Sequence, residues 1–337
     1  MSKEKKVLVL GATGAMGRYL VPYLAELGYR VDGASLDSKE SDNPLVRYFQ
    51  GNGKEREFLD SLLQQTRYDA IVDFLTHGSG ELPMFLSKML DNTDQYVYIS
   101  SARVYDNLEH PVRESSPRLI DTTKDPLLKY SDDYCIFKAR GENLLREYGT
   151  KKNWTIIRPA TTFSFMRYQL VTLEAPDNVG RAFAGKTVVV PETARYVSAT
   201  LGWGGDVAKM IGKLLFNDRA YGEDFNVHSA EHHTWQEIAD YYKDICNLKA
   251  LWVPQEDYLK IKSPDPYAFG IRWQLVYARL FERVMDNSKV LTATGMQQKD
   301  LMPLYDGLKM EISRTPRDYQ WPVNVRMDEY LAARGLV

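Results

Sequence analysis

The first 165 residues alternate short apolar runs with longer amphipathic stretches, and this alternation constrains the fold more than any other feature of the sequence. The apolar runs read KVLVLG, RVDGAS, VRYFQG, YDAIVDFL, QYVYISS and WTIIRPA. The stretches with helical spacing cover residues 15–27, 54–65, 82–92 and 134–148. Repeats of strand, helix and strand predict a parallel sheet with helices on both faces. We therefore predict an α/β fold with a doubly wound parallel sheet of at least six strands.

The alternation becomes irregular after residue 165, where aromatic, proline and glycine residues interrupt it. GGDVAKMIGKLLF predicts a helix with Asp206 as its N-cap, EDFNVHS predicts a strand, and Thr234 with Glu237 predicts a capping box before another helix. No low-complexity linker divides the chain. We therefore assign residues 1–165 to the sheet domain, with later returns near 200–228 and 285–295, and residues 166–337 mainly to a smaller, interwoven substrate lobe.

Composition narrows the class of partner. The 337 residues are 44% hydrophobic and 26% charged, and 43 basic against 45 acidic residues give a net charge of -2. A balanced charge does not favour nucleic acid or an anionic membrane, so we expect a small-molecule substrate. The two cysteines are too few for a disulfide framework, and the short apolar run near the N-terminus does not indicate a signal peptide. We expect a cytoplasmic protein without a membrane span or metal.

A glycine turn follows the first predicted strand. VLVLGATGAMGRYL places Gly11, Gly14 and Gly17 between that strand and the start of the first helix. Glycines there let the backbone approach a pyrophosphate, and the free N–H groups of the helix N-terminus bind it. The sequence therefore predicts a Rossmann-type dinucleotide-binding fold.

Candidate reacting groups follow the fifth predicted strand. Ser101 ends that strand in YVYISSARVY, and Tyr134 and Lys138 lie four residues apart on the next long helix, on one helical face. The same spacing recurs at Tyr148/Lys152, Tyr258/Lys262 and Tyr305/Lys309, so spacing alone is weak evidence. Only Tyr134 and Lys138 follow a serine at a strand end, where ligands of open α/β sheets bind.

Together, GATGAMG, SSARVY and Tyr-x-x-x-Lys resemble the extended short-chain dehydrogenase/reductase superfamily, in particular its NAD-dependent epimerase/dehydratase family. Further segments are similar to motifs of the same family, namely KARGENLL, IIRPA, GGDVAKMI, FNVHS and MDNSKVLTATG. The resemblance therefore covers most of the chain at loose similarity. It implies Tyr134 as acid and base, Lys138 as the cation that lowers the tyrosine pKa and holds the nicotinamide ribose, and Ser101 as hydrogen-bond donor to the substrate. It also implies a homodimer formed through two helices per subunit, including the Tyr134 helix.

The resemblance also implies a cofactor site. Beyond the glycine turn, Ser35 stands where the family has its selective residue, and Asp37 would repel the 2′-phosphate of NADP, so NAD is preferred and NADP stays possible. Asn52 is expected to border the adenine. The expected cofactor-binding residues are Gly11, Thr13, Gly14, Ala15, Met16, Gly17, Ser35, Asp37, Asn52, Leu75, Lys138 and Pro159.

Departures from the family pattern limit the substrate. Thr161 stands where many nucleotide-sugar enzymes have an asparagine, and Ala102-Arg103 replaces the Asp-Glu pair of 4,6-dehydratases. We therefore expect an epimerase or reductase acting on a sugar or nucleotide-sugar, rather than a dehydratase. A non-sugar carbonyl reductase, or a silent relative that binds NAD(P) or RNA, is the alternative. The polar segment 105–132 is expected to reach the substrate.

Overall fold

The computed structural model describes residues 5–148, 151–265 and 267–336. Its first half alternates strands and helices in this order: β1 (Lys6–Leu10), α1 (Gly17–Glu26), β2 (Arg30–Ser35), β3 (Val46–Gln50), α2 (Arg56–Gln65), β4 (Tyr68–Asp73), α3 (Leu82–Asp91), β5 (Thr93–Ile99), α4 (Leu119–Thr122), α5 (Pro126–Tyr130), α6 (Tyr134–Tyr148) and β6 (Trp154–Pro159). All six predicted strands and all four predicted helices are present, with ends that differ by no more than two residues.

The second half contains shorter elements: β7 (Thr161–Phe163), α7 (Val179–Phe183), β8 (Thr187–Pro191), β9 (Ser198–Ala199), β10 (Leu201–Trp203), α8 (Gly204–Leu214), β11 (Glu223–Val227), β12 (His233–Thr234), α9 (Trp235–Cys246), β13 (Lys249–Val253), α10 (Gln255–Lys262), α11 (Phe269–Gln274), α12 (Ser288–Thr294), α13 (Leu304–Ser313) and α14 (Val325–Ala332). Within the described residues, no helix has the length and apolar content that crossing a membrane would require.

The central sheet has seven strands in the order β3-β2-β1-β4-β5-β6-β11, and every neighbouring pair is parallel. The chain reverses direction across the sheet between β1 and β4. Ligands of doubly wound sheets bind at such a switch point, beyond the carboxyl ends of the strands. The predicted Rossmann-type fold is therefore confirmed, and β11 adds the seventh strand.

Alternate residues of the central strands serve two cores. Val7 and Val9 of β1 pack toward α1 and α8, whereas Leu8 and Leu10 pack toward α2 and α3. A third core belongs to the later part of the chain and includes Phe163, the β8 valines and Trp235. The helix α8, the strand β11 and the helix α12 pack with the sheet rather than with this third core. The domain boundary at residue 165 stays a prediction.

The two predicted helix caps had different outcomes. The capping box of Thr234 and Glu237 is present at the start of α9, as expected. The prediction for Asp206 was wrong, because α8 has Trp203 as its N-cap and Asp206 lies inside the first turn. The Asp206 carboxylate instead accepts the backbone N–H of Met302 at 2.6 Å. Its hydrogen bond ties α8 to a distant part of the chain.

A buried ion pair connects α6 to the sheet. The Arg158 guanidinium of β6 donates to both carboxylate oxygens of Glu142, at 2.7 and 2.8 Å, and both side chains are almost fully buried. Ser100, at the end of β5, donates to the same carboxylate at 2.6 Å. Burial raises the pKa of Glu142, but Arg158 and Ser100 lower it more, so that it falls to about 2 from an ordinary 4.5.

We predict that Glu142→Gln lowers the free energy of unfolding by about 3–5 kcal/mol, because the buried Arg158 loses its fully buried carboxylate partner and, among the described residues, keeps only Asp224 as an ion-pair partner. Since the folded-state pKa lies below the ordinary 4.5, the contribution of Glu142 is complete above pH 4.5 and is lost as pH falls toward about 2. Urea unfolding followed by circular dichroism at several pH values measures both effects.

The matched control is Asp94→Asn, which breaks an ion pair with Arg67 in which both side chains are half exposed. An exposed pair contributes no more than about 1 kcal/mol, so this variant should unfold nearly as the wild type does. Equal stability of Glu142→Gln and Asp94→Asn would contradict the assigned role of the buried pair.

Candidate active site

Ser101 lies directly after β5, at the carboxyl edge of the sheet. A short 3-10 turn, Ala102–Val104, begins at this residue, and the Ser101 Oγ accepts the backbone N–H of Arg103 at 3.1 Å. The bond fixes the hydroxyl oxygen at the strand end. The hydroxyl proton remains available for a second partner.

Tyr134 lies nearby. It is the first residue of α6 and is partly buried, and the Ser101 side chain is near enough to lower the pKa of its phenol. Burial raises the pKa of the Tyr134 phenol above its ordinary value of 10.0, while the Arg103 cation, the Ser101 hydrogen bond, Arg167 and Arg279 lower it. The Arg103 guanidinium lies 5.1 Å from the centre of the Tyr134 ring.

Lys138 lies one turn further along α6 and is 2% exposed. Its Nζ donates to the Ile99 backbone oxygen at 2.7 Å and lies 5.8 Å from the centre of the Tyr134 ring. Burial lowers the pKa of Lys138 to about 8, against the opposing effects of Asp73 and Glu142. The structure therefore brings Ser101, Tyr134 and Lys138 together, as the sequence predicted. Their catalytic roles stay predictions.

These three residues line one cavity of about 310 Å³, which we call the Tyr134 cavity. The cofactor candidates Met16 and Pro159 line it as well, and Thr161 is part of its wall. The cavity thus extends from the glycine turn to the end of β6. None of residues 105–132 belongs to its described lining. The backbone oxygens of Tyr105 and Asp106 instead hold Arg283, which does line it.

The glycine turn has the shape of a phosphate cradle. Gly11 has a φ of 81°, a left-handed conformation that favours glycine. A Cβ atom on Gly17 would lie 2.3 Å from the Gly11 backbone oxygen, so only glycine fits at that position. Thr13, Gly14, Ala15 and Met16 complete the turn before α1 begins. The turn therefore fits a dinucleotide pyrophosphate at the start of a helix.

The remaining cofactor candidates lie at neighbouring strand ends. Ser35 closes β2, and its hydroxyl donates to the backbone oxygen of Asp37 at 2.9 Å. Thr13 of the glycine turn donates to the Asp37 carboxylate at 2.7 Å. Asn52 follows β3, where its side-chain oxygen accepts the Lys54 N–H. Leu75 follows β4 and packs near Gly11 and Gly53. These residues share the carboxyl edge of the sheet but lie outside the Tyr134 cavity.

The other tyrosine–lysine pairs have different surroundings. Tyr258 is fully buried and its hydroxyl bonds Thr172, and the half-buried Tyr305 donates to Asp244. Neither tyrosine lines the Tyr134 cavity. Gly149, expected beside the Tyr148/Lys152 pair, lies outside the described residues.

Two histidines that could suggest a metal site have protein partners. His77 bonds the Asp73 carboxylate at 2.9 Å, and His233 bonds Glu231 at 2.7 Å. In the described part of the chain, no group of three or more His, Cys, Asp or Glu residues could hold a metal ion. Cys135 and Cys246 are both free and buried.

Sequence reasoning missed most of the charged wall of the cavity. Arg103, Arg167, Arg279 and Arg283 all line it, together with Glu174. Arg103 could have been found, because it lies two residues after Ser101 in the SSARVY segment. The other arginines follow irregular or short elements far along the chain, and no local motif marks them.

The fold and the site define the class of protein. A parallel sheet with a glycine turn at its switch point, and serine, tyrosine and lysine gathered beyond the strand ends, is the architecture of the extended short-chain dehydrogenases/reductases. Residues 7–82 match the model of the NAD dependent epimerase/dehydratase family, and residues 62–178 match a second NAD-binding model, named Male sterility protein. Residues 7–82 of the chain are thus similar to the NAD-dependent epimerase/dehydratase family.

Individual relatives share less of the sequence. The chain is 28% identical over 252 residues to the chloroplast stem-loop binding protein of 41 kDa b from Arabidopsis thaliana, a match that covers 71% of this chain and 62% of that protein. The chain therefore spans less than two thirds of the length of this curated relative.

Solved structures show the shared fold. An epimerase from Methanothermobacter thermautotrophicus superposes with a TM-score of 0.70 at 15% identity, covering 98% of this chain and 94% of that one. A UDP-glucuronic acid 4-epimerase from Bacillus cereus, solved with UDP-glucuronic acid and NAD, gives a TM-score of 0.65 at 17% identity, with 91% and 98% of the two chains covered. At these identities the likeness concerns the fold alone.

We predict that Gly17→Ala weakens NADH binding by at least about 10-fold, because the new methyl group would collide with the Gly11 backbone and displace the turn. Fluorescence titration of NADH measures the affinity. Gly80→Ala is the matched control, since no atom lies within 4 Å of a Cβ atom at that position. Unchanged NADH affinity in Gly17→Ala, with the fold intact by circular dichroism, would show that the glycine turn is not the cofactor site.

Proposed function

We propose that this protein is an NAD(P)-dependent enzyme that oxidises or reduces a hydroxyl or carbonyl group of a sugar or nucleotide-sugar. The observation that carries the proposal is the shared cavity, which Ser101, Tyr134 and Lys138 line together and which reaches Met16 of the glycine turn. Acid–base groups and a dinucleotide cradle thus open onto one cavity.

The three side chains can divide the work at the reacting carbon. The Tyr134 oxygen removes the proton of a substrate hydroxyl, or returns it to a carbonyl oxygen. Ser101 donates to the same substrate oxygen, because its own oxygen is already held by the Arg103 N–H. Lys138 and the arginines favour the charged form of the phenol. A nicotinamide dinucleotide, when bound, supplies the hydride acceptor or donor.

NAD is the preferred cofactor in this proposal. The Thr13 hydroxyl holds the Asp37 carboxylate beside the glycine turn. A negative charge there accepts hydrogen bonds from the ribose hydroxyls of NAD and repels the 2′-phosphate of NADP. The bound NAD of the Bacillus cereus epimerase supports the same choice.

Epimerisation and simple reduction need the same side chains, so both belong to the proposal. An epimerase returns the hydride to the opposite face of the ketone, whereas a reductase releases the alcohol. Elimination of water needs a further acid–base pair, and the positions after Ser101 carry Ala102 and Arg103 instead. We therefore propose an epimerase or reductase rather than a 4,6-dehydratase. A carbonyl reductase acting on a non-sugar substrate would use the same groups.

A homodimer is also part of the proposal. Helices α3 and α6 lie side by side, and Leu82, Phe137 and Leu144 line a shallow cavity between them. Pairing of this helical face with a second copy would cover the cavity and brace the helix that carries Tyr134.

We predict that Tyr134→Phe lowers turnover by at least about 100-fold, because the proton at the substrate oxygen loses its acceptor, while NADH affinity stays nearly unchanged. Turnover is measured on a panel of sugars, sugar phosphates and nucleotide-sugars. Tyr305→Phe is the matched control, since Tyr305 has the same spacing to a lysine and lies outside the Tyr134 cavity. Equal turnover of wild type and Tyr134→Phe would sink the assignment.

A second candidate function is stem-loop RNA binding, which the printed name of the Arabidopsis relative supports. The net charge of -2 and the gathered Ser101, Tyr134 and Lys138 favour the enzyme. Under the enzyme proposal, electrophoretic mobility assays with a stem-loop RNA should show no shift at physiological salt. A specific shift that persists in Tyr134→Phe, together with no turnover on the panel, would favour the RNA-binding alternative.

A further inference from the structure

The charges that line the Tyr134 cavity are strongly one-sided. Among the described residues, the lining contains the cations Arg103, Lys138, Arg167, Arg279 and Arg283 and a single carboxylate, that of Glu174. A wall of one sign focuses the electrostatic potential into the cavity and attracts ligands of the opposite sign.

The arginines differ in whether the protein neutralises them. Arg103 forms an ion pair with Asp133 at 3.2 Å. Arg279 instead donates to two neutral oxygens, the Val171 backbone oxygen at 2.8 Å and the Gln169 side-chain oxygen at 3.1 Å. Glu174 accepts a hydrogen bond from the Gln169 amide at 2.8 Å and is near enough to raise the pKa of Arg279, but it forms no ion pair with this arginine among the described residues.

Arg283 is neutralised no better. It is 8% exposed, and its guanidinium donates to the backbone oxygens of Tyr105 and Asp106 at 3.0 and 3.2 Å. Among the described residues, no carboxylate forms an ion pair with Arg167, Arg279 or Arg283. Burial, together with the neighbouring arginines, lowers the pKa of Arg279 and of Arg283 to about 10. Arg283 is buried and Arg279 is half-buried. A buried cation held only by neutral acceptors is costly to fold, and a bound anion would offset that cost.

The cations lie close to the reacting group. The Arg103 guanidinium lies over the Tyr134 ring, and Arg167 and Arg279 are near enough to lower the pKa of its phenol. The positive region therefore surrounds the place where a substrate hydroxyl would meet Tyr134. It does not form a separate patch away from Tyr134.

The volume of the cavity limits the size of the ligand that can bind. Its volume of about 310 Å³ is at the lower end of the roughly 300–1,000 Å³ usual for ligand sites. Part of that space adjoins Met16 and Phe74 on the cofactor side. The rest suits a compact molecule better than a sugar that carries a complete nucleotide.

We propose that the Tyr134 cavity selects a compact substrate that carries an oxyanion, a carboxylate or a phosphate monoester, next to its reacting hydroxyl. Arg279 and Arg283 bind the oxyanion from positions fixed by backbone and amide oxygens, and Arg167 binds it from the rim. This inference rests on the proposed function, and it narrows the substrate from sugars in general to small anionic hydroxy compounds.

Calorimetric titration tests the proposal with D-glucose 6-phosphate, D-glucuronate, neutral D-glucose and UDP-glucose as probes. Saturating NAD and constant ionic strength are used, so that phosphate does not bind at the glycine turn. At least one of the two compact anions should bind 10-fold or more tightly than D-glucose, and their ranking separates phosphate from carboxylate. Equal binding of D-glucose would overturn the proposal. A 10-fold preference for UDP-glucose over both compact anions would overturn the size limit.

Variants identify where the anion binds. Arg279→Gln and Arg167→Gln should each weaken binding of the preferred anion by about 10-fold or more, because each loses a charge-assisted hydrogen bond. Arg167 is exposed, so its variant is expected to fold even if Arg279→Gln does not. Arg272→Gln is the matched control, since Arg272 is exposed and pairs with Glu256 outside the cavity. Wild-type affinity for the anion in both single variants, Arg167→Gln and Arg279→Gln, would overturn the proposal.

The Tyr134→Phe variant distinguishes failure of the anion site from failure of the proposed function. Anion binding should stay within about threefold of wild type in this variant, because the phenol supplies no positive charge. Arginine-dependent anion binding without any Tyr134-dependent turnover would support the anion site and refute the proposed function. Tyr134-dependent turnover on neutral sugars, with no arginine-dependent binding, would support the proposed function and refute the anion site.

Discussion

The buried carboxylate of Glu142 is the contact on which the geometry of the site depends. It binds Arg158 of β6 and Ser100 at the end of β5, so one side chain of α6 is attached to two adjacent strands. Gly141 precedes it, and a Cβ atom there would lie 2.2 Å from the Tyr98 hydroxyl, so α6 can approach β5 this closely only with glycine. The close approach places Tyr134 and Lys138 beside Ser101.

Electrostatics at the site reflect competition between burial and nearby cations. Burial raises the pKa of Tyr134 and lowers the pKa of Lys138, and both shifts oppose the charged forms that proton transfer uses. The hydrogen bond from Ser101 and the surrounding arginines act in the opposite direction on the phenol. In this chain the lysine is therefore one of several cations around the tyrosine. An oxyanion in the cavity would compensate some of that charge and exclude water from the reacting group.

Local patterns predicted the elements of the sheet domain well, because apolar periodicity and turn residues report on a few neighbouring residues. The glycine turn, the strand before Ser101 and the helix that begins at Tyr134 are all of this kind. The Asp206 prediction failed because the partner of its carboxylate is the Met302 N–H, which lies 96 residues further along the chain. The arginines of the cavity wall escaped prediction for the same reason. The acceptors of Arg279 and Arg283 are oxygens of segments distant in sequence, such as the Tyr105 backbone oxygen for Arg283.

By itself, the sequence determined the Rossmann-type sheet, and it predicted the glycine turn as a phosphate cradle and Ser101, Tyr134 and Lys138 as the reacting set. Each of these depends on short-range spacing, on the backbone freedom of glycine or on order along the chain. Only the tertiary structure decided that Ser101, Tyr134 and Lys138 line one cavity, and which charges surround them. Those features arise from the packing of α6 and of the later segments against the sheet, and packing joins residues that no local pattern relates.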